Sequence, residues 1–447
     1  MALALLATAC ASSGGTAGSG VTATPTPTTT APSSSSSTTS TPALTASAPG
    51  VTEDTIRLGF VDIDLPTLRE MNLVDIDRGD SAFVVDTLVD ELNARGGILG
   101  RKVEAFSEIV LPIDPVDAEA ACVRLTEDND VFAVLGQFAG PTAIVDTCFA
   151  GPGATIMIGG NPTPEQLAQA RAPWLTTGMS AERRLVAAVQ LMHDDGLLGD
   201  NIAVAVATAD EAAADDLVIP ELERLGYPVA QKVVQQSPSG DRAAQDAEWS
   251  VIAERLAVDG IDTVVLVQST VGFTGANQLV LKGFEGQILI ADAVGTLGSL
   301  GTSSENALED LEGIMGTIGP SATEVFEVEA SQECVEVLEA ADPEITVHPS
   351  DQVPAGEPDW IPTLIGHCAR LRLFEMIAIA AGPELTQETF LTAAEGLGEI
   401  ELPGSPFSSL GPGKLDSLDG LRLARFDATV GEAGAASPAG PLVRIES

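Results

Sequence analysis

The chain has 447 residues, 45% of them hydrophobic, with 65 acidic side chains against 21 basic ones and a net charge of -44. Single cores stop growing near ~250–300 residues, so this length implies two lobes. The charge repels phosphate backbones and anionic membranes, which excludes nucleic acid as a partner, and acidity spread without a separate acidic run fits solubility outside the cell.

Residues 1–10, MALALLATAC, form an apolar run that closes on small residues before Cys10, as at a bacterial lipoprotein cleavage site where the cysteine is lipidated. The run departs from the usual pattern: no Lys or Arg precedes it, and Ala7 stands where Leu is commoner. Residues 11–50 are almost wholly Ser, Thr, Ala, Gly and Pro, too poor in apolar bulk to fold, and read as a disordered tether. No other stretch is long enough to span a membrane, so the expected location is extracytoplasmic, with a lipid as the only anchor.

Residues 56–61 read as a strand, and the polar segment 62–80 after it is long for a connection between a strand and a helix. In 81–103, SAFVVDTLVDELNARGGILGRKV, Val85, Leu88, Val89 and Leu92 recur at helical spacing, and Gly96-Gly97 ends the helix before a strand at 102–106. Strand, helix, glycine turn and strand make the opening βαβ unit of a parallel sheet. These glycines follow a helix and precede a strand, so they lie at the wrong end of the sheet for a phosphate cradle.

A helix at 116–125, a buried strand at 131–136, a helix at 142–149 and a strand at 155–158 come next. Thr163, Pro164 and Gln166 then open another helix. A second series follows: helix 181–193, strand 202–207, helix 212–225, strand 231–234, helix 241–258, strand 263–267, helix 275–282 and strand 287–291. In 241–258, Trp249, Ile252, Ala253 and Leu256 share one face, which makes Trp249 a core residue. Beyond residue 313 the pattern loosens to helices at 332–340, 362–381 and 386–396 and a strand at 421–426. Two βα series in one chain give an α/β fold of two open lobes, to which the C-terminal elements return.

Besides Cys10 there are four cysteines and three ways to pair them. Each close pair falls on two consecutive predicted helices, which favours Cys122 with Cys148 and Cys334 with Cys368 in an oxidising compartment. His193, His348 and His367 are scattered without metal-ligand spacing, so no metal is expected. No nucleophile elbow, Walker loop or dinucleotide glycine motif follows a strand, so neither an enzyme nor a cofactor is expected. Asp194-Asp195 and Asp215-Asp216 read as solvated helix faces.

GVTEDTIRLGF at 50–60, ELNARGGILGRKVE at 91–104, VFAVLG at 131–136 and WLTTGMS at 174–180, in this order and spacing, resemble the type I periplasmic binding fold. The specific resemblance, over about residues 50–430, is to the leucine/isoleucine/valine-binding-protein-like solute receptors of ABC importers. It implies two Rossmann-like lobes with parallel central sheets, joined by three crossovers and closing by hinge motion on a small ligand. The crossovers are expected near 176–177, 313–316 and 424–426. Lobe 1 would hold 51–176 and 316–424, and lobe 2 would hold 177–315 and 425–447. A monomer serving an ABC permease is the expected partnership.

In open α/β sheets ligands sit beyond the carboxyl ends of the strands, here the loops 62–72, 137–142, 159–163, 208–211, 268–274 and 292–296. The candidate ligand residues are Gln137, Phe138, Gly140, Gly160, Asn161 and Thr163 from the first lobe, with Asp210, Gln268, Thr270 and Asp292 from the second. For amino-acid ligands the resemblance implies hydroxyls and N–H groups of the first lobe on the carboxylate, and an acidic group near Asp292 on the ammonium. The chain departs from that pattern: Gly140 stands near the expected serine, Ala213 and Thr270 near the expected tyrosines, and Tyr227, the sole Tyr, on a helix exit. The implied function is a lipoprotein that binds a small polar solute, such as an amino acid, for an importer. The alternative is a sensory or accessory lipoprotein of the same fold whose cleft serves a partner protein.

Overall fold

The computed structural model describes residues 43–446 apart from 239, 240, 294 and 303. Cys10, the leader and the tether up to residue 42 lie outside the described residues. Strands β1 (Thr55–Ile63), β2 (Lys102–Val110), β3 (Ala133–Gly136), β4 (Ile156–Ile158) and β5 (Trp174–Leu175) form an all-parallel sheet in the order β2-β1-β3-β4-β5. The second sheet is built on β6 (Ile202–Ala207), β7 (Val229–Gln235), β8 (Thr263–Leu266), β9 (Gln287–Ile290) and β10 (Met315–Ile318), also parallel. A hairpin of β11 (Gly398–Leu402) and β12 (Ser405–Leu410) stands apart. Antiparallel β13 (Gly420–Asp427) and β14 (Ala435–Pro438) then extend the second sheet to β14-β13-β10-β9-β8-β6-β7, with β15 (Val443–Arg444) on β13.

Every residue of β3, β4, β6 and β8 is buried, as strands with helices on both faces require, and this explains their unbroken apolar runs. On one face of the first sheet the helix Ser81–Ala94 buries Val84, Val85, Leu88, Val89 and Leu92, and the Asp80 carboxylate caps it. It packs there with helices Glu329–Ala341 and Ile361–Ala381. Pro115–Val123 and Asp146–Ala150 cover the other face. Disulfides Cys122–Cys148 and Cys334–Cys368 join one helix pair on each face. On the helix Arg242–Val258, which packs with the second sheet, Trp249 is fully buried with its Nε1 donating to Gln235 Oε1 at 2.6 Å, and a Cβ on Gly275 would lie 2.7 Å from its ring.

Three local expectations shift. The helix expected at 275–282 begins at Gln268, because Gly272 and Gly275 weaken the helical pattern while making room for Ile290 and Trp249. The chain packs from before residue 51: fully buried Arg101 donates to the carbonyls of Thr45, Thr52 and Pro383 at 2.7–2.9 Å, and Ser47 Oγ donates to Leu385 O. Residues 313–316 and 424–426, named as crossovers, lie in or beside β10 and β13 of the second sheet. The chain crosses instead around 319–321 and 411–419. Gly313, Gly316 and Gly319 hide the short β10 in the sequence, and a Cβ on Gly316 would meet that of Ala293 at 2.5 Å. Among the described residues no helix is long and apolar enough to cross a membrane.

Candidate ligand-binding cleft

The chain leaves the first sheet from the carboxyl end of β5 and the second from the carboxyl end of β10, so the carboxyl ends of both sheets adjoin one hinge. The first and third passages bond to each other: Thr176 N donates to Leu415 O at 3.0 Å and Ser417 N to Thr176 O at 2.9 Å. Arg183 fixes the passages further, with Nη1 2.9 Å from Asp416 Oδ2 and Nη2 2.8 Å from Asp419 Oδ1. Buried Lys414 donates to Asp416 O at 2.7 Å and pairs with Asp419 Oδ1 at 3.1 Å. Glu324, after the second passage, pairs with Arg422 of β13. Burial alone would raise the Glu324 pKa, but Arg422 and the Ser321 N–H and hydroxyl hold it below the usual range. A pocket of about 650 Å³ opens beside this hinge between Asn161, Pro164, Trp174, Thr176, Arg183 and Asp416.

The floor of the cleft in the first lobe lies where β1 and β3 meet. β2, which follows β1 in sequence, pairs on the other side of it, so this is the topological switch point of the sheet. Two glycines let the backbones close up there: a Cβ on Gly136, at φ +136°, would lie 2.2 Å from Val61 O, and one on Gly159, at φ +145°, 1.9 Å from Gly136 O. Gln137 Oε1 accepts from Gly160 N at 3.1 Å, and Asp146 Oδ1 accepts from Phe138 N at 2.9 Å.

Four ionisable groups gather at this edge. Asp146 is 4% exposed; burial pushes its pKa up to about 7, against the Phe138 N–H and the positive charge of Arg370. Asp62 Oδ2 lies 3.2 Å from His367 Nε2. Burial would raise the Asp62 pKa, but the His367 hydrogen bond and charge outweigh it and the net shift is downward. Half-buried Arg370 extends from the helix Ile361–Ala381. Burial lowers its pKa, opposed by the charges of Asp62 and Asp146, yet among the described residues it makes no hydrogen bond or ion pair, and its Nε is shielded from solvent.

Of the residues named from the sequence, Gln137, Gly160 and exposed Asn161 lie at the carboxyl ends of β3 and β4. Gly140 opens the turn Gly140–Val145 at φ +55°. Phe138, 3% exposed, stacks on Phe149 at 5.6 Å and belongs to the core. Thr163 caps the helix Pro164–Gln169, and Gln166 bonds back to it. In the second lobe Asp210 ends the turn Thr208–Asp210, and Gln268 begins its helix at φ +66°. The Thr270 side chain lies outside the described residues. Asp292, just past β9, is held by Arg184 Nη2 at 2.7 Å, so a cation already matches its charge. Asp146 and Arg370 escaped the sequence reading, although an arginine inside the apolar run IPTLIGHCARLRLFEMIAIAA was a usable signal. Among the described residues no cluster of three or more His, Cys, Asp or Glu is arranged to hold a metal ion.

No protein-family model and no curated protein matches the chain. Solved structures do. The fatty acid ABC transporter substrate-binding protein from Thermomonospora curvata is 17% identical over 89% of this chain and 94% of its own, with a TM-score of 0.56. The solute-binding protein of an ABC transporter from Rhodopseudomonas palustris HaA2, in complex with p-hydroxybenzoic acid, is 15% identical over 88% and 98%, with a TM-score of 0.60. The ABC transporter substrate-binding protein from Desulfitobacterium hafniense, in complex with Leu, is 12% identical over 86% and 100%, with a TM-score of 0.57. The fold is thus the type I periplasmic binding fold of such proteins.

Proposed function

We propose that the protein is an extracytoplasmic solute receptor, anchored by a lipid on Cys10, that closes its two lobes on a small ligand and passes it as a monomer to an ABC permease without chemistry of its own. The observation that carries this reading is the shared hinge, which sets the carboxyl ends of two parallel sheets side by side. Gln137, Gly160 and Asn161 would meet the ligand from one lobe and Asp210 and Gln268 from the other, so that binding favours the closed form. The ligands named for the similar structures, fatty acids, a hydroxybenzoic acid and leucine, support a small organic molecule as solute.

A ligand that binds only the native state raises stability by mass action, by about 2.7 kcal/mol at a hundred times its Kd. Thermal-shift screening of organic acids, amino acids, amides and sugars is expected to give at least one saturable increase in melting temperature. A panel without any such increase refutes the receptor reading.

A further inference from the structure

The least satisfied polar group of the cleft floor is the Arg370 guanidinium. Three other arginines, Arg183, Arg184 and Arg422, also carry a shielded Nε without an acceptor, but each commits its Nη atoms to carboxylates. Arg370 has no such outlet among the described residues. The charges of Asp62, near the end of β1, and of Asp146, at the start of the helix Asp146–Ala150, act on it without contacting it as ion pairs, and each has another bond: Asp62 to His367, and Asp146 to the Phe138 N–H. A guanidinium left half-buried at a switch point, with its five donors in a rigid plane, is matched by a planar two-oxygen anion.

The facing lobe narrows the chemistry. An α-amino acid brings an ammonium that needs an uncommitted carboxylate, and of the second-lobe carboxylates named at the cleft Asp292 is tied to Arg184 and Asp210 already has a partner of its own. We propose that Arg370 is the anchor for the carboxylate of the solute, and that the cleft takes organic acids without an α-ammonium in preference to amino acids. This rests on the receptor reading above and adds the ligand class and the residue that selects it. Gly160 adjoins the same edge, where the lack of a side chain lets Asp146 pack closely: a Cβ there would lie 3.0 Å from its Oδ2.

The test is calorimetric titration of the full chain with paired probes, 4-hydroxybenzoate against 4-hydroxybenzamide and hexanoate against hexanamide, with leucine as the zwitterion. At least one acid is expected to bind, with its amide and leucine at least tenfold weaker. In Arg370→Gln that acid is expected to lose about 10- to 100-fold in affinity, the worth of a charge-assisted bidentate pair, while the amide changes less than threefold. Arg370→Lys keeps the charge without the fork and is expected to fall between the two; it replaces the Gln variant if circular dichroism shows that variant unfolded.

An acid that binds Arg370→Gln, or Arg370→Lys if that variant is the one used, within threefold of the wild type overturns the proposal. So does binding confined to leucine, an amide or a sugar, although the receptor reading then survives. Failure of every probe here and in the wider thermal screen overturns both.

Discussion

Asp146 offers the sharpest test of the buried edge, because its charge state alters stability in a defined direction with pH. Its carboxyl titrates near 7 in the folded protein and near 3.9 in the unfolded chain. Between those values the folded state holds the proton and the unfolded state has lost it, so stability falls as pH rises from about 4 to about 7 and levels off above that. Three pH units at ~1.4 kcal/mol each give a ceiling of ~4 kcal/mol for this group. Asp146→Asn keeps an oxygen for the Phe138 N–H but cannot ionise. Urea unfolding of both proteins from pH 4.5 to 8.5 is expected to show the variant gaining on the wild type by about 2–4 kcal/mol across that span, with a plateau above pH 8. Taking the difference cancels groups such as Asp62 and Glu324, whose lowered pKa values act in the opposite sense at lower pH. Profiles that stay parallel within ~0.5 kcal/mol would refute the argument that burial governs this carboxyl.

Replacing Arg101 with Leu leaves three carbonyls without their charged donor and is expected to cost on the order of 3 kcal/mol; limited proteolysis should then cut near residues 45–52, and an unchanged digestion pattern counts against the clamp. Gly275→Ala forces a Cβ against the Trp249 ring, with an expected loss of about 1–3 kcal/mol and altered tryptophan fluorescence. A variant with Ser at both Cys122 and Cys148 is expected to lose roughly 3 kcal/mol, and peptide mapping of the unreduced wild type should find only the links 122–148 and 334–368.

The regular part of the fold could be read from the sequence because buried parallel strands must be continuously apolar. IAVAVA at 202–207 and VFAVLG at 131–136 announce themselves, and the capping pattern of Thr163 and Gln166 places a helix start to the residue. What escaped lies where packing overrides local pattern. Gly272 and Gly275 look like breakers until Ile290 and Trp249 fill the space they leave, and β10 is only four residues long between glycines. The candidate site was legible as a set of loops, because strand carboxyl ends follow from the βα order. Its chemistry was not, since Arg370 is brought to the end of β1 and β3 by a helix more than two hundred residues away in sequence.

The pairing of β10 with β13 also bears on how the chain is made. β10 ends at Ile318 and its antiparallel neighbour begins at Gly420, and the intervening chain builds part of the other lobe. A nascent chain that has emerged only as far as residue 400 therefore carries an unpaired strand edge on its second sheet, a template for association with other chains. That lobe closes last on the ribosome, and truncation between Ile318 and Gly420 leaves a product that is prone to aggregate.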